Sequence, residues 1–173
     1  MELYELLQEN FKDNIELLLK LEKIKDLLNN PEIDINEKLN EVQLTDEDKI
    51  KLINSLREKT SKYIYQYIPY YRQTNFTSAK VNALFILLNN DVTDKIKQNV
   101  KNILRQIRDM EIWITNIIIK YEKIKQQIIN SDINTAIDIY NNFLKEYESI
   151  PKPQFLESKD IGYIQQVWFS LQI

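Results

Sequence analysis

Apolar residues recur at three- and four-residue steps along most of this chain, which is the spacing of amphipathic helices. Tyr4, Leu7, Phe11, Leu18, Leu21 and Leu28 form one such stripe and predict a first helix over residues 2–29. Asn29-Asn30-Pro31 closes it, because Pro31 lacks an amide donor and turns the preceding residue away from helix. Residues 30–44 read as a connection with one short turn near Asn36–Val42. Thr45-Asp46-Glu47-Asp48 resembles a capping box and opens the next helix. Its stripe (Ile50, Ile53, Leu56, Tyr63, Ile64, Tyr67) runs to Pro69. Tyr70 to Phe76 read as a loop. Thr77 or Ser78 then caps a shorter helix containing Val81, Leu84, Phe85 and Leu88, which stops at Asn89-Asn90-Asp91.

Thr93 opens the longest segment, to about residue 129. Its stripe is Ile96, Val100, Ile103, Ile107, Met110, Ile114, Ile117, Tyr121, Ile124 and Ile128. Around Ile112-Trp113-Ile114 and Ile117-Ile118-Ile119 the helix is apolar nearly all round, a pattern that calls for cover on most sides. Unbroken, it would be ~55 Å long, against a radius of gyration of ~16 Å for a compact chain of this length. The helix therefore breaks, or the bundle is elongated, or part of the apolar surface meets a partner. Ser131-Asp132 caps a helix over 132–149 with Ile133, Ile137, Tyr140, Phe143, Leu144 and Tyr147 inward. Pro151-Lys152-Pro153 ends it. Ser158 caps a last helix over 158–171 carrying Ile161, Ile164, Val167, Trp168 and Leu171.

These elements predict an all-α, single-domain bundle of five or six helices spanning residues 1–173. An acidic N-terminal helix (2–29) and a connection (30–44) lead into a basic helical middle (45–129). The long central helix covers about 94–129, and two C-terminal helices follow. The length suits one domain with a real core.

Composition removes many activities. The chain has no His and no Cys. That excludes a Ser–His–Asp triad, a thiol nucleophile, ordinary zinc sites and a Glu-x-x-His di-iron site. One Gly in 173 residues excludes the usual phosphate-cradling loops. The carboxylate spacing of all-α nucleotide pyrophosphatases has a partial match in Glu2-Leu3-Tyr4-Glu5, at a terminus prone to fray. Asp91-Val92-Thr93-Asp94 is better read as capping. The expectation is a protein that is not an enzyme and needs no cofactor and no metal. No stretch is long and apolar enough to span a bilayer, so no membrane partner is expected. The acidic start lacks a secretory pattern, which points to the cytoplasm. Ile (27 residues) and Asn (18) are abundant while Ala is scarce (3), a bias of A+T-rich coding that fits a viral or mobile-element source.

Charge changes the picture most. The net charge is −3, but residues 1–48 carry 14 acids and 5 bases, while residues 49–125 carry 15 bases and 6 acids. On the long helix Lys97, Lys101, Arg105 and Arg108 fall at i, i+4, i+8 and i+11, one face over ~16 Å. Lys59, Lys62 and Arg72 flank Tyr65, Tyr70 and Tyr71, with Tyr63 and Tyr67 assigned to the core. Cations interleaved with free aromatics suit single-stranded nucleic acid, the cations meeting phosphates and the rings stacking bases. The plainer reading of the same cations is a solvated face, or a face answered by the acidic N-terminal helix of this chain or of a neighbouring copy.

Thr77-Ser78-Ala79-Lys80-Val81-Asn82, followed by an apolar helix, is similar to the Thr-Thr-Ser-Lys/Gln-Leu-Arg stretch of the small helical subunits of type III CRISPR effector complexes. The resemblance implies a small all-α protein lining a groove for guide and target nucleic acid. Asn82 stands where that family has Arg, and the short likeness does not assign the chain to it. Two functions follow. The first is a non-enzymatic interaction or assembly protein that binds a protein partner or its own copies, with Trp168 and Phe169 as candidate contacts. The second is backbone binding of nucleic acid by the basic middle, as in a small helical ribonucleoprotein subunit.

Overall fold

A computed structural model describes residues 3–172. Helix makes up 79% of it and no strand occurs among the described residues, so the class is all-α. Eight α-helices occur among the described residues, rather than the five or six expected. They are α1 (Leu3–Asn10), α2 (Ile15–Lys23), α3 (Ile35–Glu41), α4 (Lys49–Tyr67), α5 (Tyr70–Leu88), α6 (Asp94–Asn130), α7 (Ile133–Glu148) and α8 (Ser158–Ser170). No described helix is long and apolar enough to cross a membrane. The helix start at Glu2, and with it the Glu2-x-x-Glu5 spacing, lies outside the described residues.

The extra helices come from local capping that the apolar stripe conceals. The expected helix over 2–29 is interrupted at Phe11–Asn14. The Asn14 side chain accepts from the Leu17 amide at 3.1 Å and restarts the chain as α2. A 3-10 turn, Lys25–Leu27, then ends that arm. Within the expected connection, the Asp34 carboxylate accepts from the Asn36 and Glu37 amides and starts α3. Each is a side-chain oxygen satisfying amides that a helix start leaves open.

The packed residues fall into two compact units. The first comprises residues 1–59 and 120–147. Its N-terminal part gathers Leu21, Ile24, Leu28 and Leu39, with Tyr4, Leu7, Phe11, Ile35 and Val42 against them. Leu52, Leu56, Ile124, Ile128, Ala136, Tyr140, Phe143 and Tyr147 are buried in the same unit. The Ser55 and Tyr140 hydroxyls share a hydrogen bond of 2.7 Å. Thr45 opens a 3-10 turn over Asp46–Asp48, and α4 begins after it. Asp132 caps α7 as expected, accepting from the Asn134 and Thr135 amides. Ile50 and Leu144, expected inward, are exposed. Ile50 lies in the first turn of α4, and Leu144 sits beside the buried Phe143 on a helix whose inward face is already filled by Tyr140, Phe143 and Tyr147.

The second unit comprises residues 60–119 and 148–173. Trp113 is its anchor, almost fully buried. The Tyr67 ring packs edge-on to it at 5.5 Å and stacks on Phe155 at 5.3 Å, while Tyr63 lies 6.0 Å away. Offset and edge-to-face ring pairs of this kind add to the gain from burial itself. Lys152 places its ammonium 4.5 Å from the centre of the Tyr67 ring and donates to the Tyr67 hydroxyl at 2.8 Å.

Two features of this unit depart from the periodic reading. The expected loop over 70–76 is helical, and α5 starts directly after Pro69. Pro69 itself is extended, with φ −52° and ψ 146°, so it ends α4 and caps α5 in one residue. Thr77 and Ser78 are therefore mid-helix rather than caps. The inward face of α5 is also not that of Val81, Leu84, Phe85 and Leu88. Phe76, Ala79, Ala83 and Ile86 are buried, and the helix packs along α8. Small residues such as Ala79 and Ala83 on a buried helix face let neighbouring helix axes approach closely. In α6, Val100, Ile103, Ile107, Met110 and Ile117 of the stripe are buried as expected and Ile114 is half-buried, but Ile112, Ile118 and Ile119 are exposed. The helix runs unbroken for 37 residues, and the cover its apolar girdle calls for is not supplied there.

Candidate functional site

The exposed surface of the second unit holds three features, each set by the register of one helix. The first is apolar. Val81, Leu84, Phe85 and Leu88 on α5 are 49%, 57%, 59% and 71% exposed. They fall at i, i+3, i+4 and i+7, so they form one continuous ridge. Periodicity places these four on a single face, correctly, but that face is turned outward. Isolated apolar side chains at a surface are ordinary; a contiguous ridge of four large ones is not. The spacing is that of the anchors by which one amphipathic helix meets another.

The second feature is the cationic stripe of α6. Lys101, Arg105 and Arg108 are exposed and Lys97 is half-buried. The buried positions Val100, Ile103, Ile107 and Met110 occupy the other side of the helix, so the stripe is turned away from the core. None of the four cations pairs with an acid of its own unit among the described residues. Lys80, by contrast, is tied to Glu111 at 2.7 Å.

The third feature is aromatic. Tyr65, Tyr70 and Tyr71 are exposed, with the Tyr65 and Tyr70 rings edge-on at 6.2 Å. The cations expected to flank them are differently placed. Arg72 donates to the Leu156 carbonyl at 3.1 Å, with its guanidinium 6.0 Å from the Tyr71 ring. Lys59 belongs to the first unit and lies 5.4 Å from the Tyr140 ring. Lys62 alone of the three is exposed. At the C-terminal end, Phe169 is exposed while Trp168 is half-buried, their rings 5.1 Å apart.

Between α6 and α8 lies an open groove of about 560 Å³ whose lining mixes the amides Asn99, Asn102, Gln106 and Gln166 with apolar Ile103 and Tyr163. Gly162 also lines it, and a side chain added at that residue would meet nothing within 4 Å. No group of three acidic residues that could hold a metal ion occurs among the described residues.

The segment resembling the CRISPR subunits lies in the middle of α5. There Ala79 is buried, Lys80 is engaged by Glu111 and Asn82 is half-buried. No family model, curated protein or solved structure matches the chain.

Proposed function

We propose that this protein is a non-enzymatic interaction protein, and that it binds another macromolecule through the outward face of α5. The ridge of Val81, Leu84, Phe85 and Leu88 carries the reading. Large apolar side chains held in water on a rigid helix represent unrealised burial, worth ~25 cal/mol per Å² once a partner covers them. Ile112, Ile118 and Ile119 add exposed apolar surface on α6 in support. A photoreactive residue at position 88 tests this in cells, with one at the exposed polar position Asn134 as control. Position 88 is expected to give discrete cross-linked species that vanish with Leu84→Asp. The same products from both positions would refute the reading.

The α6 stripe favours a second reading, binding of a nucleic-acid backbone by a small helical subunit. Lys101, Arg105 and Arg108 are exposed and in line, and Tyr65, Tyr70 and Tyr71 present rings for stacking. Affinity for a single strand would then fall steeply with salt, by ~0.7 log units per log unit of salt for each phosphate met.

A further inference from the structure

The α5 ridge needs a partner of particular character. α5 contains no acidic residue, and the second unit as a whole carries ten bases against seven acids, net +3. Its exposed cations Lys101, Arg105 and Arg108 form no ion pair with an acid of their own unit among the described residues, although Asp109 and Glu111 share their helix. A fitting partner therefore offers apolar side chains on an acidic background.

The chain carries such a surface itself. The first unit has nineteen acids against thirteen bases, net −6. Its first helix, α1, has Glu5 and Glu9 and no base, with Glu9 paired to Lys12 just beyond the helix at 2.7 Å. Tyr4 and Leu7 of α1 pack on the local core, but Leu3 and Leu6 are 43% and 48% exposed, and Leu27 nearby in sequence to α2 is also exposed. No residue of α1 is fully buried. Eight residues are too few for a helix to be stable alone in water, and one with apolar residues over so wide an arc gains from cover on its open side.

We infer that the protein assembles with copies of itself head to tail, the acidic α1 face of one copy (Leu3, Leu6) seating on the α5 ridge of the next (Val81, Leu84, Phe85, Leu88). This rests on the reading that the α5 ridge docks a partner, and adds that the partner is a second copy. The two surfaces differ, so the contact is heterologous and builds chains or rings rather than stopping at a two-fold dimer. Opposite net charges steer the two faces together, an effect that salt weakens.

Sedimentation of the purified protein tests this. Mass is expected to rise with concentration past that of a dimer at low salt, and to fall at high salt. Leu84→Asp removes one face and Leu6→Asp the other, so each variant alone is expected to be monomeric. A one-to-one mixture retains one intact contact, and its mass is expected to double to two copies and no further. Circular dichroism of both variants confirms that the helices persist. A wild type monomeric at all concentrations overturns the proposal, as does a two-fold dimer that the variant mixture fails to restore. A cross-linker at position 88 distinguishes a second copy from another partner. Products joined to residues 3–9 of a second copy support the proposal. Products joined only to another protein overturn it and leave the docking reading standing, and the absence of products in the purified protein and in cells overturns both.

Discussion

The ammonium of Lys23 lies 2.7 Å from the Asp48 carboxylate, whose side chain is only 5% exposed. The same carboxylate accepts from the Thr45 amide at 2.8 Å and so closes the turn that starts α4. Burial alone would push the Asp48 carboxyl upward. The hydrogen bonds from Lys23 and Thr45, with the charges of Lys23 and Lys51, outweigh it and hold the group below its ordinary range. Asp48→Asn is expected to cost about 1.5–3 kcal/mol at neutral pH, the range for hydrogen bonds to a charged group. A carboxyl held low in the folded state stabilises above its unfolded value and loses that contribution as pH falls through the folded value. The gap between wild type and Asp48→Asn in urea unfolding should therefore close on acidification.

The two faces of α5 give opposite expectations from substitutions two residues apart. Ile86 is fully buried, and Ile86→Ala should cost about 2–5 kcal/mol. Leu84→Asp, on the outward ridge, should shift the stability of the monomer by no more than about 0.5 kcal/mol. Thermal unfolding of both variants checks which face is inside, independently of any partner.

Charge reversal on α6 addresses the nucleic-acid reading. Lys101→Glu with Arg105→Glu is expected to abolish low-salt binding of a labelled single strand. The fold should be unaffected, since both side chains are exposed. A filter-binding titration at two salt concentrations checks it, and wild type that fails to bind at low salt removes the reading.

The restart of the chain at Asn14 is testable by itself. Asn14→Ala removes the acceptor for the Leu17 amide and should cost about 1 kcal/mol. Hydrogen exchange should show faster opening confined to the first turn of α2, with α7 unchanged.

Periodicity located most of the helical chain and the inward face of α6, because a single strong stripe has one way to turn. Two kinds of information escaped it. Short-range capping by Asn14 and Asp34 divides the N-terminal arm in ways that an unbroken apolar stripe hides. α5 carries two rival faces, both with helical spacing. Size favours Leu84 and Phe85, while the buried face is that of Phe76, Ala79, Ala83 and Ile86. The cationic stripe was legible because four charges at helical spacing need only a straight helix to line up. Neighbours were not legible, so the engagement of Arg72 by the Leu156 carbonyl and of Lys59 by the Tyr140 ring could not be read in advance.

An outward ridge of leucine and phenylalanine also alters how the molecule responds to ordinary laboratory probes. Dyes that brighten on apolar surface are commonly taken to report a loosened, molten state. Here a well-packed chain should light them, and should be retained on a hydrophobic column, while its near-ultraviolet dichroism stays native. Fluorescence of that kind would measure vacancy of the ridge, and quenching it would be a simple titration for whatever comes to occupy the helix.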